Sequence, residues 1–159
     1  MRNTLKYCLL LLCFSACTDD RVFEENHDFE ETIWTIDKDL SFSFDIDNNS
    51  KYYKMLLNLR YDLEYPYRNL YVYYKLEDSS QNTLDKALVN YTLFNPKEGK
   101  PLGTGSSNIF SYQQVLIDSL QFPQEGEFTI SLAQYMRTDS LSGIYSAGIK
   151  IIKQPTAAE

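Results

Sequence analysis

The chain has 159 residues, 43% of them hydrophobic and 23% charged, with 15 basic and 22 acidic side chains for a net charge of −7. That length fits one domain with a real core. A phosphate-binding surface needs clustered Lys and Arg, so the acidic balance excludes nucleic acid and anionic lipid headgroups as expected partners.

The first element is a leader. Arg2 and Lys6 precede an apolar run from Tyr7 to Phe14, and the small residues Ser15 and Ala16 follow it. A spanning helix needs about 20 apolar residues, so this run is too short to cross a bilayer. A positive start, a short apolar middle and a small-residue end are the marks of a secretory signal. "FSAC" resembles a bacterial lipobox, with Phe14 where Leu is usual. Residues 1–16 are therefore expected to be cleaved and Cys17 to be lipidated. Cys8 and Cys13 leave with the leader, so the mature chain is expected to have no free thiol and no disulfide. It keeps 143 residues and loses Arg2 and Lys6, leaving 13 basic against 22 acidic side chains, about −9. Several acyl chains on Cys17 would hold it on a membrane without a spanning helix.

Residues 17–31 carry Asp19, Asp20, Glu24, Glu25, Asp28, Glu30 and Glu31 around the lone His27. This composition reads as a solvated acidic tether. From Trp34 the dominant period is two, the mark of strands. A weak first strand lies around Ile33 and Ile36. "LSFSFDID" then sets Phe42, Phe44 and Ile46 against Ser41, Ser43 and Asp45. "MLLNLR", "LYVYYKL", "ALVNYTLF", "QVLIDSLQF", "FTISLAQYM" and "AGIKII" continue the pattern. Asp47–Ser50 reads as a hairpin turn. Asn95–Asn108 is a long Gly/Pro/Ser connection and Pro123–Gly126 a tight one. About eight strands without a helical period predict an all-β fold over residues 32–153, an antiparallel β-sandwich of Ig-like or jelly-roll-like type. A flexible tail, 154–159, follows.

The usual chemistries find few candidates. A nucleophilic triad needs a base, and the single histidine lies in the acidic stretch. "DIDNN" begins like a calcium loop, but Ser50 and Leu56 stand where that loop needs Gly and a bidentate Glu. "GKPLGTG" fails as a phosphate loop, because Phe94 replaces its first Gly and Pro101 follows Lys100. Asp62 with Glu64, or Asp118, could in principle form a carboxylate pair, but acidic residues on such a chain mostly solvate its surface. No enzyme activity, metal or small-molecule cofactor is expected.

The densest aromatic stretch is "NLRYDLEYPYRNLYVYY", residues 58–74, whose loop carries Tyr61, Tyr65, Pro66, Tyr67 and Arg68. Exposed Tyr and Arg are favoured in protein interfaces. Tyr61, Tyr65, Tyr67 and Arg68 are therefore candidate partner-binding residues. The alternative is that the rings cap one end of the sandwich.

The "NLR…YPY.NLY" block, the "LG.G" turn, the "FP..G.F" turn, the "Q.MR" ending at Gln134, Met136 and Arg137, and the "L.GI…G" segment at Leu141, Gly143, Ile144 and Gly148 together resemble the gliding motility lipoprotein GldH family of Bacteroidetes. The resemblance implies a non-enzymatic structural or assembly subunit of the gliding machinery. Its implied partners are envelope proteins of the apparatus that also supports type IX secretion. The expected place is the outer membrane, lipid-anchored, with the periplasmic face preferred over the cell surface, for which the acidic residues after Cys17 would be the competing signal. A competing reading is a surface-exposed carbohydrate-binding module, with the same tyrosines stacking sugar rings.

Overall fold

A computed structural model describes residues 20–155; the leader and Cys17 lie outside them. Eleven strands form: β1 (Arg21–Asp28), β2 (Ile33–Thr35), β3 (Leu40–Ile46), β4 (Tyr53–Asp62), β5 (Asn69–Asp78), β6 (Thr83–Thr92), β7 (Thr104–Ser106), β8 (Ile109–Leu120), β9 (Gly126–Gln134), β10 (Ser140–Ser142) and β11 (Ile144–Lys153). One sheet has the order β1-β11-β4-β8-β7, the other β3-β9-β5-β6, and β10 pairs with β2 apart from both. All pairings are antiparallel. Without the short β2, β7 and β10, eight long strands divide between two four-stranded sheets, β1-β11-β4-β8 and β3-β9-β5-β6, in the order of a jelly roll, with only β5 and β6 consecutive in one sheet. The sandwich is thus as expected, and the topology settles it as jelly-roll-like, with eleven strands rather than about eight.

Period-two patterning makes the core. β3 reads buried and exposed in strict alternation, with Leu40, Phe42, Phe44 and Ile46 turned inward. They meet Phe128, Ile130 and Leu132 from β9 and Met55, Leu57 and Leu59 from β4, all buried. Each such side chain contributes about 1.5–3 kcal/mol when removed from water. Near the start of β4, Phe44, Phe122 and Phe128 pack together with ring centroids 4.6–6.3 Å apart.

Three expectations are corrected. Residues 21–28 are no tether but β1, paired with β11 from Arg21↔Ile152 to Asp28↔Ser146. His27 accordingly is not a solvated linker residue: its Nε2 is buried without a hydrogen-bond partner, and its ring packs edge-on against Phe29 at 5.4 Å. Asp47–Ser50 is no hairpin turn either, since β3 and β4 lie in different sheets. It is an arch between layers, with Ser50 N–H donating to Asn48 Oδ1 (2.9 Å), Tyr53 Oη to the Asn48 carbonyl (2.7 Å) and Lys153 Nζ to Asp47 (3.0 Å). Finally, Gln154 is not free: its N–H donates to the Tyr52 carbonyl (2.8 Å) and its side chain to the Asp118 carbonyl (2.7 Å).

The pairing gives the sandwich two ends. Arg21, Lys153, Tyr53 and Leu120 lie at one, where β1 begins. Asp28, Ser146, Arg60 and Ser111 lie toward the other, where residues 63–68 cross from β4 to β5. Ten strand residues at about 3.4 Å each separate them by about 30 Å.

Candidate functional site

At the far end β4 stops on Asp62. Its N–H donates to the Gly143 carbonyl (3.0 Å), and its Oδ1 accepts the Glu64 N–H (2.8 Å), an Asx turn that starts the crossing. Gly143 adopts φ +77°, and a Cβ there would come 2.5 Å from the Tyr65 nitrogen, so only glycine lets the β10–β11 connection pass beneath this loop. Tyr61 is wholly buried; its hydroxyl donates to the Leu93 carbonyl (2.7 Å) and accepts the Gly103 N–H (3.1 Å). Tyr65 is also buried and donates to the Asn69 carbonyl at 2.9 Å. The Tyr61 ring meets Phe94, Phe110 and Tyr112 at 5.4–6.3 Å, and Tyr65 stacks on Phe94. Burial pushes the Tyr61 hydroxyl above the usual tyrosine range, and burial followed by the nearby Tyr67 hydroxyl does the same to Tyr65.

These two tyrosines therefore cap the core, and the expectation that they face a partner is corrected. Of the four candidates, only Tyr67 and Arg68 remain exposed. Their backbone is fixed, because the Arg68 carbonyl accepts the N–H groups of Leu93 (2.9 Å) and Phe94 (3.2 Å).

A larger aromatic surface adjoins this end, on the outer face of the four-stranded sheet. In β5, Leu70, Val72, Tyr74 and Leu76 turn inward, so Tyr71 and Tyr73 turn out. Tyr73 lies between Leu88 of β6 and Ala133 of β9, and the Tyr135 N–H donates to the Tyr71 carbonyl at 2.8 Å. The Tyr73 and Tyr135 rings sit 6.1 Å apart at 40°. Tyr135 is 61% exposed, Leu88 49%, Tyr67 39% and Tyr71 38%. Tyr71 and Leu88 on their strands, with Tyr135 at the end of β9 and Tyr67 in the adjoining loop, form a preorganised contact surface. The sequence carries the signal in "LYVYYKL", where Tyr71 and Tyr73 alternate with the inward Leu70, Val72 and Tyr74, and only the pairing with β9 brings Tyr135 to them.

The acidic candidates do not assemble into a catalytic pair. Asp62 is buried and holds the crossing, with the Tyr145 hydroxyl also bonded to its carboxylate. Asp118 lies near the opposite end, ion-paired with Lys54 at 2.9 Å. Cys17 lies outside the described residues; β1 begins four positions after it. Among the described residues no helix is long and apolar enough to cross a membrane.

Comparison with known proteins adds four findings. The family model described as GldH lipoprotein matches residues 21–151. The gliding motility lipoprotein GldH homolog of Christiangramia forsetii is 25% identical over 154 residues, covering 92% of this chain and 93% of its own. The gliding motility lipoprotein GldH of Flavobacterium johnsoniae is 27% identical over 158 residues, covering 95% and 96%. Among solved structures, the infectious bursal disease virus VP2 subviral particle aligns with 83% of this chain but 30% of its own, at 12% identity and a TM-score of 0.39, too low to bear on function.

Proposed function

Because this chain belongs to the GldH lipoprotein family, we propose that it is a non-enzymatic docking subunit of the gliding machinery, held to the outer membrane through lipid on Cys17 with its domain in the periplasm. Its docking surface is the far-end aromatic face: Tyr71, Tyr73, Tyr135 and Leu88, with Tyr67 and Arg68 at the adjoining loop. The occupant is an envelope protein of the gliding and secretion apparatus.

One observation carries this reading: large apolar and aromatic side chains, Tyr71 and Tyr73 on β5, Leu88 on β6 and Tyr135 just past β9, are presented outward instead of being folded away. Two neighbouring tyrosines of the same stretch are buried, so the chain had an inward solution available and leaves these outside. Tyr gives a large contact area at low entropic cost, with two side-chain torsions to fix, and Arg is enriched at interface hot spots. The names of the two relatives supply the setting.

The test is a crosslink and pull-down of epitope-tagged protein from gliding cells, comparing the parent with the double variant Tyr71→Ala, Tyr135→Ala. Both side chains are exposed, so the variant should melt within a few degrees of the parent. We expect apparatus proteins to be recovered with the parent and lost with the variant, and spreading of colonies to fail. Full recovery and normal gliding with the folded variant would sink the surface assignment. A Cys17→Ser version tests the anchor separately, and is expected to leave the membrane fraction.

A further inference from the structure

The opposite, five-stranded sheet carries a second surface of different chemistry. Cross-strand neighbours on its outer face line up in rows. The middle row is Asn26, Gly148, Asn58 and Gln113, across β1, β11, β4 and β8. The row beyond it is Asp28, Ser146, Arg60 and Ser111, and reaches Thr104 of β7. Gly148 apart, they line an open cleft of about 660 Å³, with β1 along one side and Leu102–Thr104 along the other. That volume falls within the roughly 300–1,000 Å³ of small-ligand clefts. Two rows beside the charged pair Glu24 and Lys150 give a floor about 14 Å along the strands.

The floor is polar and held in place. Gln113 Nε2 donates to Asn58 Oδ1 (2.7 Å), and Asn58 Nδ2 donates to Glu24 Oε1 (3.1 Å). Arg21 Nη1 (3.1 Å) and Lys150 Nζ (3.6 Å) then close on Glu24 Oε2. This relay fixes the orientation of both amides. Partial burial works against the Glu24 charge, but the hydrogen bonds from Arg21 and Asn58 outweigh it and hold the carboxyl below its ordinary value. Gly148 contributes no side chain at the centre, and a Cβ there would run into Glu25 and come 2.5 Å from Asn26 Oδ1, so the middle of the floor stays at backbone level. Arg60 is exposed, and its charge acts on the Tyr145 hydroxyl.

The geometry points to a binding site for an uncharged oligosaccharide on this cleft. Sugar hydroxyls both donate and accept, as side-chain amides do, and a fixed amide array meets them without paying to order itself. Charges of both signs, Glu24 and Asp28 against Arg60 and Lys150, disfavour a ligand of strong single charge. The exposed side chain of Leu102 suits the C–H face of a pyranose. The site is independent of the tyrosine face and lies on the other sheet.

The experiment titrates the mature domain with chitohexaose and with laminarihexaose, following backbone amide shifts by NMR. One probe carries N-acetyl groups, as a cell-wall glycan would, and the other does not, so the two arms separate the classes of source. We expect one or both to give saturable shifts confined to β1, β4, β8 and β11. Asn58→Ala should weaken binding at least tenfold, while Tyr135→Ala leaves it unchanged. Gln113→Ala, on the exposed face of β8, gives the same reading should Asn58→Ala fail to fold. Absence of saturable shifts with either sugar overturns the proposal, as does parent-like binding by the folded Asn58→Ala or Gln113→Ala variant. Loss of docking in the tyrosine double variant has no bearing on it.

Discussion

At the scale of single residues, hydroxyl groups decide which tyrosines are structural. Tyr61, Tyr65, Tyr91 and Tyr112 each donate to a backbone carbonyl: Leu93, Asn69, Val115 and Thr92. Those of Tyr91 and Tyr112 tie β6 to β8 across the gap between the sheets, where no strand pairing can. A buried hydroxyl without a partner costs more than the bond is worth, so each ring is bound to its place. Tyr61 makes two bonds at once. Replacing it by Phe leaves the Gly103 N–H without its partner and takes one of two donors from the Leu93 carbonyl, which keeps the Leu102 N–H (2.8 Å), while filling nearly the same volume. The expected loss is about 2 kcal/mol, read as a lowered urea midpoint with unchanged slope. The same change at Tyr71 should be silent, because that side chain is exposed. A Tyr61→Phe protein as stable as the parent would mean that the hydroxyl is not part of the cap.

At the scale of elements, β1 separates what the sequence makes legible from what it hides. Strands β3, β4, β5 and β9 are read correctly because each buries one face and so alternates. β1 lies at a sheet edge and buries only Val22, Phe23 and His27 in part, with a register shift between Arg21 and Phe23 that breaks the alternation. Its stability comes from backbone bonds to β11, which leave no pattern in side chains, and its charges suit an edge that must not pair with another chain. The short β7 and β10 were missed for want of length. Their placement depends on glycines: in β7 a Cβ on Gly105 would run into the Ile109 backbone. The tyrosine loop shows the same limit, since burial of Tyr61 and Tyr65 against exposure of Tyr67 depends on the crossing between sheets. Hydrogen exchange distinguishes strand from tether at residues 21–28. A paired edge strand should slow the amides that face β11 at least a hundredfold relative to an unstructured peptide; exchange at the unprotected rate throughout 21–28 would restore the tether.

At the scale of the whole molecule, the strand directions couple the anchor to both surfaces. Only three residues, 18–20, separate Cys17 from β1. Fully extended they span about 10 Å, so lipid on Cys17 would hold the Arg21 end against the bilayer. β4 runs away from that end and β5 returns toward it, which puts the crossing at 63–68 and the Tyr71–Tyr135 face some 30 Å farther out. With residues 1–16 removed the charge would be about −9, which opposes lying flat on an anionic leaflet, and Lys54 and Lys153 near the Arg21 end are engaged with Asp118 and Asp47. An upright domain would thus offer its tyrosines to a partner beyond the headgroups while the polar cleft opens sideways. With Cys17 acylated and the leader removed, no thiol remains in the chain, so single cysteines can carry a dye. We expect a fluorophore at Glu125→Cys, near the anchored end, to transfer energy efficiently to an acceptor lipid. One at Leu63→Cys, in the crossing, should transfer several-fold less. Equal transfer from the two positions would mean that the domain lies on its side, and docking would then have to come from whichever sheet faces away from the lipid.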